Sequence, residues 1–224
     1  MMRLSRPLIL ASSSPRRQFL LKEIGYSFKI VLPEGDESFS PTMDVIQVPQ
    51  YLARKKAAGF EGKLNNQIII TADTVVILGK AILNKPTDRT DAIRMLTELS
   101  GKTHLVITAV CLCSSEKTDC FDEYTEVTFN KLLQRDIELY VDNFRPFDKA
   151  GSYGAQECLP PEKNPCSQDE IDFLKEIGKF ELIAKSLTTH KNEVGLSVIN
   201  QISGSYFNVM GLPIHKLHQH LQAF

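Results

Sequence analysis

The chain has 224 residues, 42% of them hydrophobic, and a formal net charge of -1, enough apolar material for one large domain or one domain of two lobes. The near-neutral balance removes the electrostatic basis of a dedicated DNA or RNA binder, whose affinity comes mostly from clustered Lys and Arg, so no nucleic acid polymer is expected as a partner. No apolar stretch reaches the roughly 18 to 20 residues of a membrane span, and the opening MMRLSRPLILASSSPRR has too short an apolar region for a secretory signal; a cytoplasmic protein with no membrane partner is expected.

In chain order, Pro7 to Ala11 reads as a buried strand and Pro15 to Ile24 as a helix. Ser13 or Ser14 serves as N-cap, Pro15 stands at N1 and Gly25 is the stop; Phe19, Leu20 and Ile24 are the expected core face. VPQYLARKKAAGFEG predicts a helix ending near Gly59, and QIIITADTVVILGKAILNKP a long strand followed by a hairpin around Gly79. TDRTDAIRMLTELSGK is a helix with Thr87 or Asp88 near its cap and Gly101 after its end. HLVITAVCLC and EYTEVTFNKL are two more strands, and QRDIELYVDNF is another helix. Alternating strands and helices imply an α/β sheet that the hairpins make mixed.

The five cysteines, Cys111, Cys113, Cys120, Cys158 and Cys166, are odd in number and scattered, which argues against a disulfide framework and fits a reducing compartment. Cys111 and Cys113 share one face of a strand, so a thiolate metal site with Cys120 stays open, but no CxxC or His pair completes it. Buried small hydrophobes are the simpler expectation.

Two features carry chemistry. A strand feeding a helix through LASSSPRR leaves the first helical N–H groups pointing outward at the positive end of the dipole, an anion site. Arg16 and Arg17 add forked donors suited to phosphate; a capped helix with two solvated arginines is the bland alternative, and the P-loop spacing is absent. The second feature is Asp73, a carboxylate inside the apolar run IIITADTVVIL, which is expensive unless a cation, a proton or hydrogen bonds compensate it. It reads as a metal-binding or general-base carboxylate, or as a strand end bonded to a turn. Glu37 in EGDESF is a second candidate carboxylate, while Lys56 and Lys85, taken alone, are surface lysines.

Together these stretches resemble the Maf family of nucleoside triphosphate pyrophosphatases. The resemblance runs in order through LASSSPRR, DES, LARKKA, ADTVV, LNKP, SGKTH, FDKAGSYGAQ and SYFNVMGLP. It implies a single Maf-like domain over 1–224, a mixed twisted sheet flanked by helices, with two lobes around a central cleft in the manner shared with the ITPase-like fold. It implies hydrolysis of a nucleoside triphosphate to the monophosphate and pyrophosphate with a divalent cation, Mg2+ or Mn2+. By position, Asp73 resembles the catalytic acid and a metal contact, Glu37 the second metal carboxylate, and Ser12, Arg16, Lys56 and Lys85 the triphosphate-binding set. Arg16, Thr74 and Gln156 resemble the branch that acts on dTTP and UTP, the Gln156 amide being able to pair with a base edge through donor and acceptor. Modified pyrimidine triphosphates are a house-cleaning substrate class that the same residues would serve.

One stretch departs from the family pattern. Residues 158–192 intervene between YGAQE and the final strand; they begin Pro-rich and then place Ile171, Leu174, Ile177 and Phe180 at helical spacing. A loop plus a helix is expected, burying one face against the body or against a second subunit, so a homodimer is an open expectation. A reading of a different class is a noncatalytic nucleotide-binding regulator of cell division or septum formation, using that helix to dock. Asp73, Glu37 and the two lysines disfavour it, because carboxylates beside a phosphate pocket repel the ligand unless a metal is present.

Overall fold

A serine-rich turn with Pro at its end is a strong helix starter, and in the computed structural model Ser14 caps the first helix as its φ of -66° and ψ of 115° require. The structure describes residues 4–33, 36–160, 163–188 and 196–224. In chain order the elements are β1 (Leu8–Ala11), α1 (Pro15–Glu23), β2 (Phe28–Val31), α2 (Val48–Ala58), β3 (Ile68–Leu78), β4 (Ala81–Leu83), α3 (Arg89–Leu99), β5 (Thr103–Cys113), β6 (Thr118–Phe129) and α4 (Gln134–Phe144). Two single 3-10 turns follow, Ala150–Ser152 and Ala155–Glu157, then α5 (Gln168–Glu176), α6 (Leu182–Thr188), β7 (Ile199–Ser203), α7 (Tyr206–Val209) and α8 (Ile214–Ala223). No described helix is long and apolar enough to cross a membrane.

The sheet has seven strands in the order β2-β1-β3-β5-β6-β7, with β4 paired to β3. β1 runs parallel to β2 and β3, whereas β4 is antiparallel to β3 and β7 antiparallel to β6, so the sheet is mixed. Strand β2 carries no clear period-2 signal, which is why sequence reasoning passes over it. Its residues are mostly exposed, with Ile30 at 50%.

The chain divides into two compact units. The first comprises the residues through Thr74 together with Ile107–Glu123 and Gly211–Phe224. Small side chains build much of its core: Ala11, Ala53, Ala57, Ile69, Ala109, Cys111 and Cys113 form one buried cluster, so α2 can lie close to the strands. From α1 the buried residues are Leu20, Leu21 and Ile24, while Phe19 is only half-buried, because the core-facing arc of the helix is centred one position further on. Each fully buried aliphatic side chain of this kind contributes roughly 1.5–3 kcal/mol.

Cys111 on β5 and Cys120 on β6 are joined as a disulfide, which corrects the expectation of unpaired thiols and removes two sulfurs from any thiolate metal site. The register of neighbouring strands decides it, bringing the two Cα atoms to 4.1 Å, and register is not readable from cysteine spacing alone. Cys113, Cys158 and Cys166 are free, the first two buried.

The second unit comprises Val75–Val106 and Tyr124–Met210. Helix α3 packs on α4, burying Ala92, Met95, Leu96 and Leu99 from one and Ile137, Tyr140 and Val141 from the other. Gly151 turns the chain at φ 68°, and a Cβ there would come within 2.9 Å of Val76 Cγ1, so only glycine fits. A helix does form in 158–192. In α5, Glu170, Phe173 and Leu174 are buried, Ile171 and Ile177 half-buried, and Phe180 is 49% exposed, beyond the helix end. The expected apolar stripe is therefore shifted, because the helix stops at Glu176 and Gly178 (φ 65°) breaks the periodicity.

Candidate active site

Asp73 lies in the middle of β3, 8% exposed, on a strand that is otherwise apolar apart from Thr71 and Thr74. Burial pushes its carboxyl above its ordinary value; the charge of Lys56, the hydrogen bond from Lys56 and the charge of Arg17 pull it back, and Glu37 adds to the rise. The compensation demanded by the sequence is visible in the geometry. Lys56 Nζ donates to Asp73 Oδ1 at 2.6 Å and stands 2.9 Å from Glu37 Oε1. One ammonium thus serves two carboxylates.

Lys56 comes from the last turn of α2, where a cation also complements the dipole. The preceding Lys55 pairs with Asp36 and donates to Ser38 O at 3.0 Å and Ser38 Oγ at 3.2 Å. Two successive lysines therefore hold the loop on both sides of Glu37. The loop gives no periodic signal in the sequence, and Lys55 was not among the expected residues; the acid-rich DES opposite a Lys-Lys pair is the signal that could have found it.

The opening turn divides its work. Ser12, 5% exposed, accepts at Oγ from Ser14 N (3.2 Å) and Arg17 Nη1 (3.5 Å), and its carbonyl accepts from Gln18 Nε2 (3.2 Å). Arg17 departs from the phosphate-fork expectation. Its Nη1 donates to Ala72 O at 2.8 Å, its Nη2 to Thr74 Oγ1 at 2.9 Å and its Nε to Gly211 O at 2.8 Å. The guanidinium clamps the strand on both sides of Asp73 and joins it to Ser12 and Gly211. Burial lowers its pKa and Asp73 raises it again, and the group stays charged in either case. Sequence reasoning cannot separate two adjacent arginines on a helix, where a rotation of about 100° per residue decides which one points inward. Arg16 is half-buried. The Thr74 hydroxyl, besides meeting Arg17, lies 2.9 Å from Thr108 Oγ1.

Ser12, Arg17, Lys56, Asp73, Thr74 and Glu37 are thus brought into one bonded constellation within the first unit. Lys85 and Gln156 belong to the second. Lys85 is exposed in the loop after β4, and that loop is tied to the AGSYG turn by Gly151 N donating to Asn84 O at 3.2 Å. Gln156 is 1% exposed in the second 3-10 turn.

The donor chemistry around Asp73 fits a hard divalent cation. Two carboxylates converge on one positive charge, and Mg2+ is characteristically held by one or two carboxylates with substrate phosphates supplying further oxygens. Among the described residues no cluster of three or more His, Cys, Asp or Glu exists, so an all-protein cage for a transition metal is absent there.

Residues 7–160 match the family description Maf-like protein. The chain belongs to the Maf family. Among curated relatives it is 39% identical over 215 residues to a dTTP/UTP pyrophosphatase of Flavobacterium psychrophilum, covering 96% of this chain and 92% of that protein. It is likewise 39% identical over 217 residues to a dTTP/UTP pyrophosphatase of Bacteroides fragilis (96% and 94%) and 37% over 221 residues to that of Porphyromonas gingivalis (97% and 94%). Among solved structures, the Staphylococcus aureus Ham1 protein matches at a TM-score of 0.42 and 13% identity over 56% of this chain and 73% of its own. The Maf description ends at residue 160, whereas the relatives match nearly the whole chain.

Proposed function

We propose that this chain is a nucleoside triphosphate pyrophosphatase that hydrolyses dTTP and UTP to the monophosphate and pyrophosphate. The observation that carries the reading is Asp73: an ionisable group buried in a central strand, clamped on both sides by Arg17 and shared through Lys56 with Glu37. Curated relatives at 37–39% identity that bear the name dTTP/UTP pyrophosphatase support the substrate class.

In this reading Asp73 accepts the proton of the attacking water, for which a carboxyl raised above its ordinary value is better suited than a fully solvated one. Asp73 and Glu37 would hold a divalent cation, which supplies charge neutralisation for the triphosphate and the leaving pyrophosphate. Lys56 serves the acids before substrate arrives and the phosphates afterwards. Ser12, Arg16 and Lys85 are proposed to bind the triphosphate, and Thr74 and Gln156 to take part in nucleotide choice. Phosphoryl-type transfer needs positioning and charge stabilisation more than a covalent nucleophile, and neither a nucleophilic Cys nor a Ser–His pair is invoked.

The test is a pyrophosphate-release assay on purified protein with a nucleotide panel, with and without Mg2+. Mg2+-dependent release of dTMP and UMP with pyrophosphate is expected. Binding of dTTP without turnover at any divalent cation would contradict the reading.

A further inference from the structure

The Cys111–Cys120 bond lies under the helix that supplies Lys56. Cys111 and Cys113 of β5 share one buried cluster with Ala109, with Ala53 and Ala57 of α2 and with Ile69 of β3. Cys120 on β6 packs against that cluster from its rim, as do Phe60 and Leu64 just beyond α2. Side chains alternate along β3, so Ile69, Thr71 and Asp73 share this face. Thr71 Oγ1 donates to Ala53 O at 2.8 Å, and Lys56 Nζ donates to Asp73 Oδ1 at 2.6 Å. One helix thus covers the disulfide with Ala53 and Ala57 and carries, between them, the ammonium that serves Asp73 and Glu37. The layer between is built of alanines, which have no side-chain torsion to absorb a change of volume.

The bond is poorly placed to be a staple. It spans nine residues of a hairpin that its own turn already closes, Ser114 N donating to Lys117 O at 2.9 Å, so it restrains little additional chain entropy. Three of the five cysteines stay as thiols, which is not the framework of a disulfide-dependent fold. Cys111 is fully buried, but Cys120 is only half-buried, and a cavity of about 300 Å³ lined by Phe60, Leu64, Cys113 and Thr118 adjoins the same cluster.

We propose that the Cys111–Cys120 pair is a reversible redox site for small dithiols and disulfides, and that its state sets the seating of α2 and with it the reach of Lys56 to Asp73 and Glu37. In reduction, one thiolate of an external dithiol attacks Sγ of Cys120, the accessible sulfur; the Cys111–Cys120 bond breaks, and Cys111 leaves as a thiolate and takes up a proton. The second thiol of the reductant loses its proton and displaces Cys120, which departs as a thiol, and the reductant leaves as its own disulfide, two electrons poorer. An oxidised low-molecular-weight disulfide reverses both exchanges. Two thiols need van der Waals room that a bonded pair does not, and in a close-packed cluster that room comes from α2 moving off the sheet. The catalytic consequence rests on the pyrophosphatase reading, whereas the movement of α2 does not.

The experiment prepares the protein in oxidised glutathione, counts thiols by alkylation and mass, and compares it before and after dithiothreitol by amide hydrogen exchange of α2 and by kcat/KM for dTTP with Mg2+. Three thiols are expected before reduction and five after. Reduction is expected to speed exchange in α2 at least about threefold and to lower kcat/KM about fivefold or more, both restored by oxidised glutathione. The Cys111→Ala/Cys120→Ala double variant is expected to respond to neither reagent; should it fail to fold, Cys120→Ser takes its place with the same expectation. Five thiols in the oxidised preparation, or α2 exchange that is the same in both states, overturns the proposal. A response to dithiothreitol that persists in the variant overturns it too, because another group then carries the effect. Faster α2 exchange with unchanged kcat/KM overturns the link to Lys56. Absence of dTTP turnover in both states contradicts the pyrophosphatase reading instead, and α2 exchange then decides the redox site by itself.

Discussion

Asp73 and Gln156 are both buried polar groups, and the molecule treats them in opposite ways. Asp73 is bonded by Lys56 and flanked by Arg17; the Gln156 amide has no hydrogen-bond partner among the described residues while the backbone around it is pinned. The difference follows from charge. An ionised carboxylate cannot be left bare in low dielectric at any stage of a catalytic cycle, so some cation has to accompany it throughout. A neutral amide costs far less to leave unpaired and can wait for a ligand.

The sharpest way to break this contrast is to neutralise Asp73. Asp73→Asn keeps the shape but neither accepts a proton nor carries charge, and kcat is expected to fall at least about a hundredfold. The pKa direction gives a second readout. A carboxyl whose folded pKa is raised contributes stability at low pH that is lost as pH rises through the folded value. Asp73→Asn is therefore expected to match or exceed the parent's stability to urea at pH 7, losing activity and not stability. Marked destabilisation would mean that the carboxylate is a structural brace.

Next in size is the clamp. Arg17→Lys retains a charge but cannot reach Ala72 O, Thr74 Oγ1 and Gly211 O together. Charge-assisted hydrogen bonds are worth about 1.5–3 kcal/mol each, so a fall in thermal midpoint accompanied by at least about tenfold lower kcat/KM is expected. Unimpaired turnover would show that the strand holds Asp73 by itself.

How much of this was legible in the sequence differs between the two regions. Ser12, Glu37, Lys56 and Asp73 lie in compact motifs, and a carboxylate in the run IIITADTVVIL announces itself because its burial needs a counter-charge. Arg17's structural role was hidden by its neighbour Arg16, and the Cys111–Cys120 pairing by strand register. The bonds that pin the turn around Gln156, Gly154 N donating to Tyr140 Oη at 3.0 Å and Tyr140 Oη to Glu157 Oε2 at 2.7 Å, were not readable at all, because Tyr140 sits on α4 with ordinary amphipathic spacing and nothing local marks its hydroxyl. The strands and helices from β3 to α4 followed from periodicity and capping residues, whereas β2, with exposed apolar residues, carried no pattern.

Glu170 gives a smaller effect within the second unit. Its carboxylate, 2% exposed, accepts from Ser205 Oγ (2.6 Å), Tyr206 N (3.1 Å) and Phe207 N (3.0 Å), besides closing the capping box of α5. Unlike Gln156, it is fully engaged within the protein. Glu170→Ala is expected to cost about 2–4 kcal/mol in urea unfolding by leaving buried N–H groups bare, without changing the dTTP-over-CTP preference; a changed preference would extend nucleotide choice into α5.

The last expected effect is a pH slope, spread over a window rather than seen at one pH. His104 is buried, with Nε2 at 2.7 Å from Tyr153 Oη, and desolvation lowers its pKa to about 4. Between pH 6.5 and about 4 the unfolded chain binds this proton and the folded one does not, so stability falls with acidification by up to about 1.4 kcal/mol per pH unit. Urea midpoints of His104→Gln measured across that range should decline less steeply than those of the parent; identical slopes would show that another group carries the dependence.

The central claim is that water, activated at Asp73, attacks the α-phosphorus. It is tested most directly by turning over dTTP with the parent protein and Mg2+ in heavy-oxygen water and weighing the products by mass spectrometry. The account predicts that the solvent oxygen enters dTMP and that pyrophosphate is unlabelled; labelled pyrophosphate, or labelled orthophosphate released alongside a diphosphate, would contradict it.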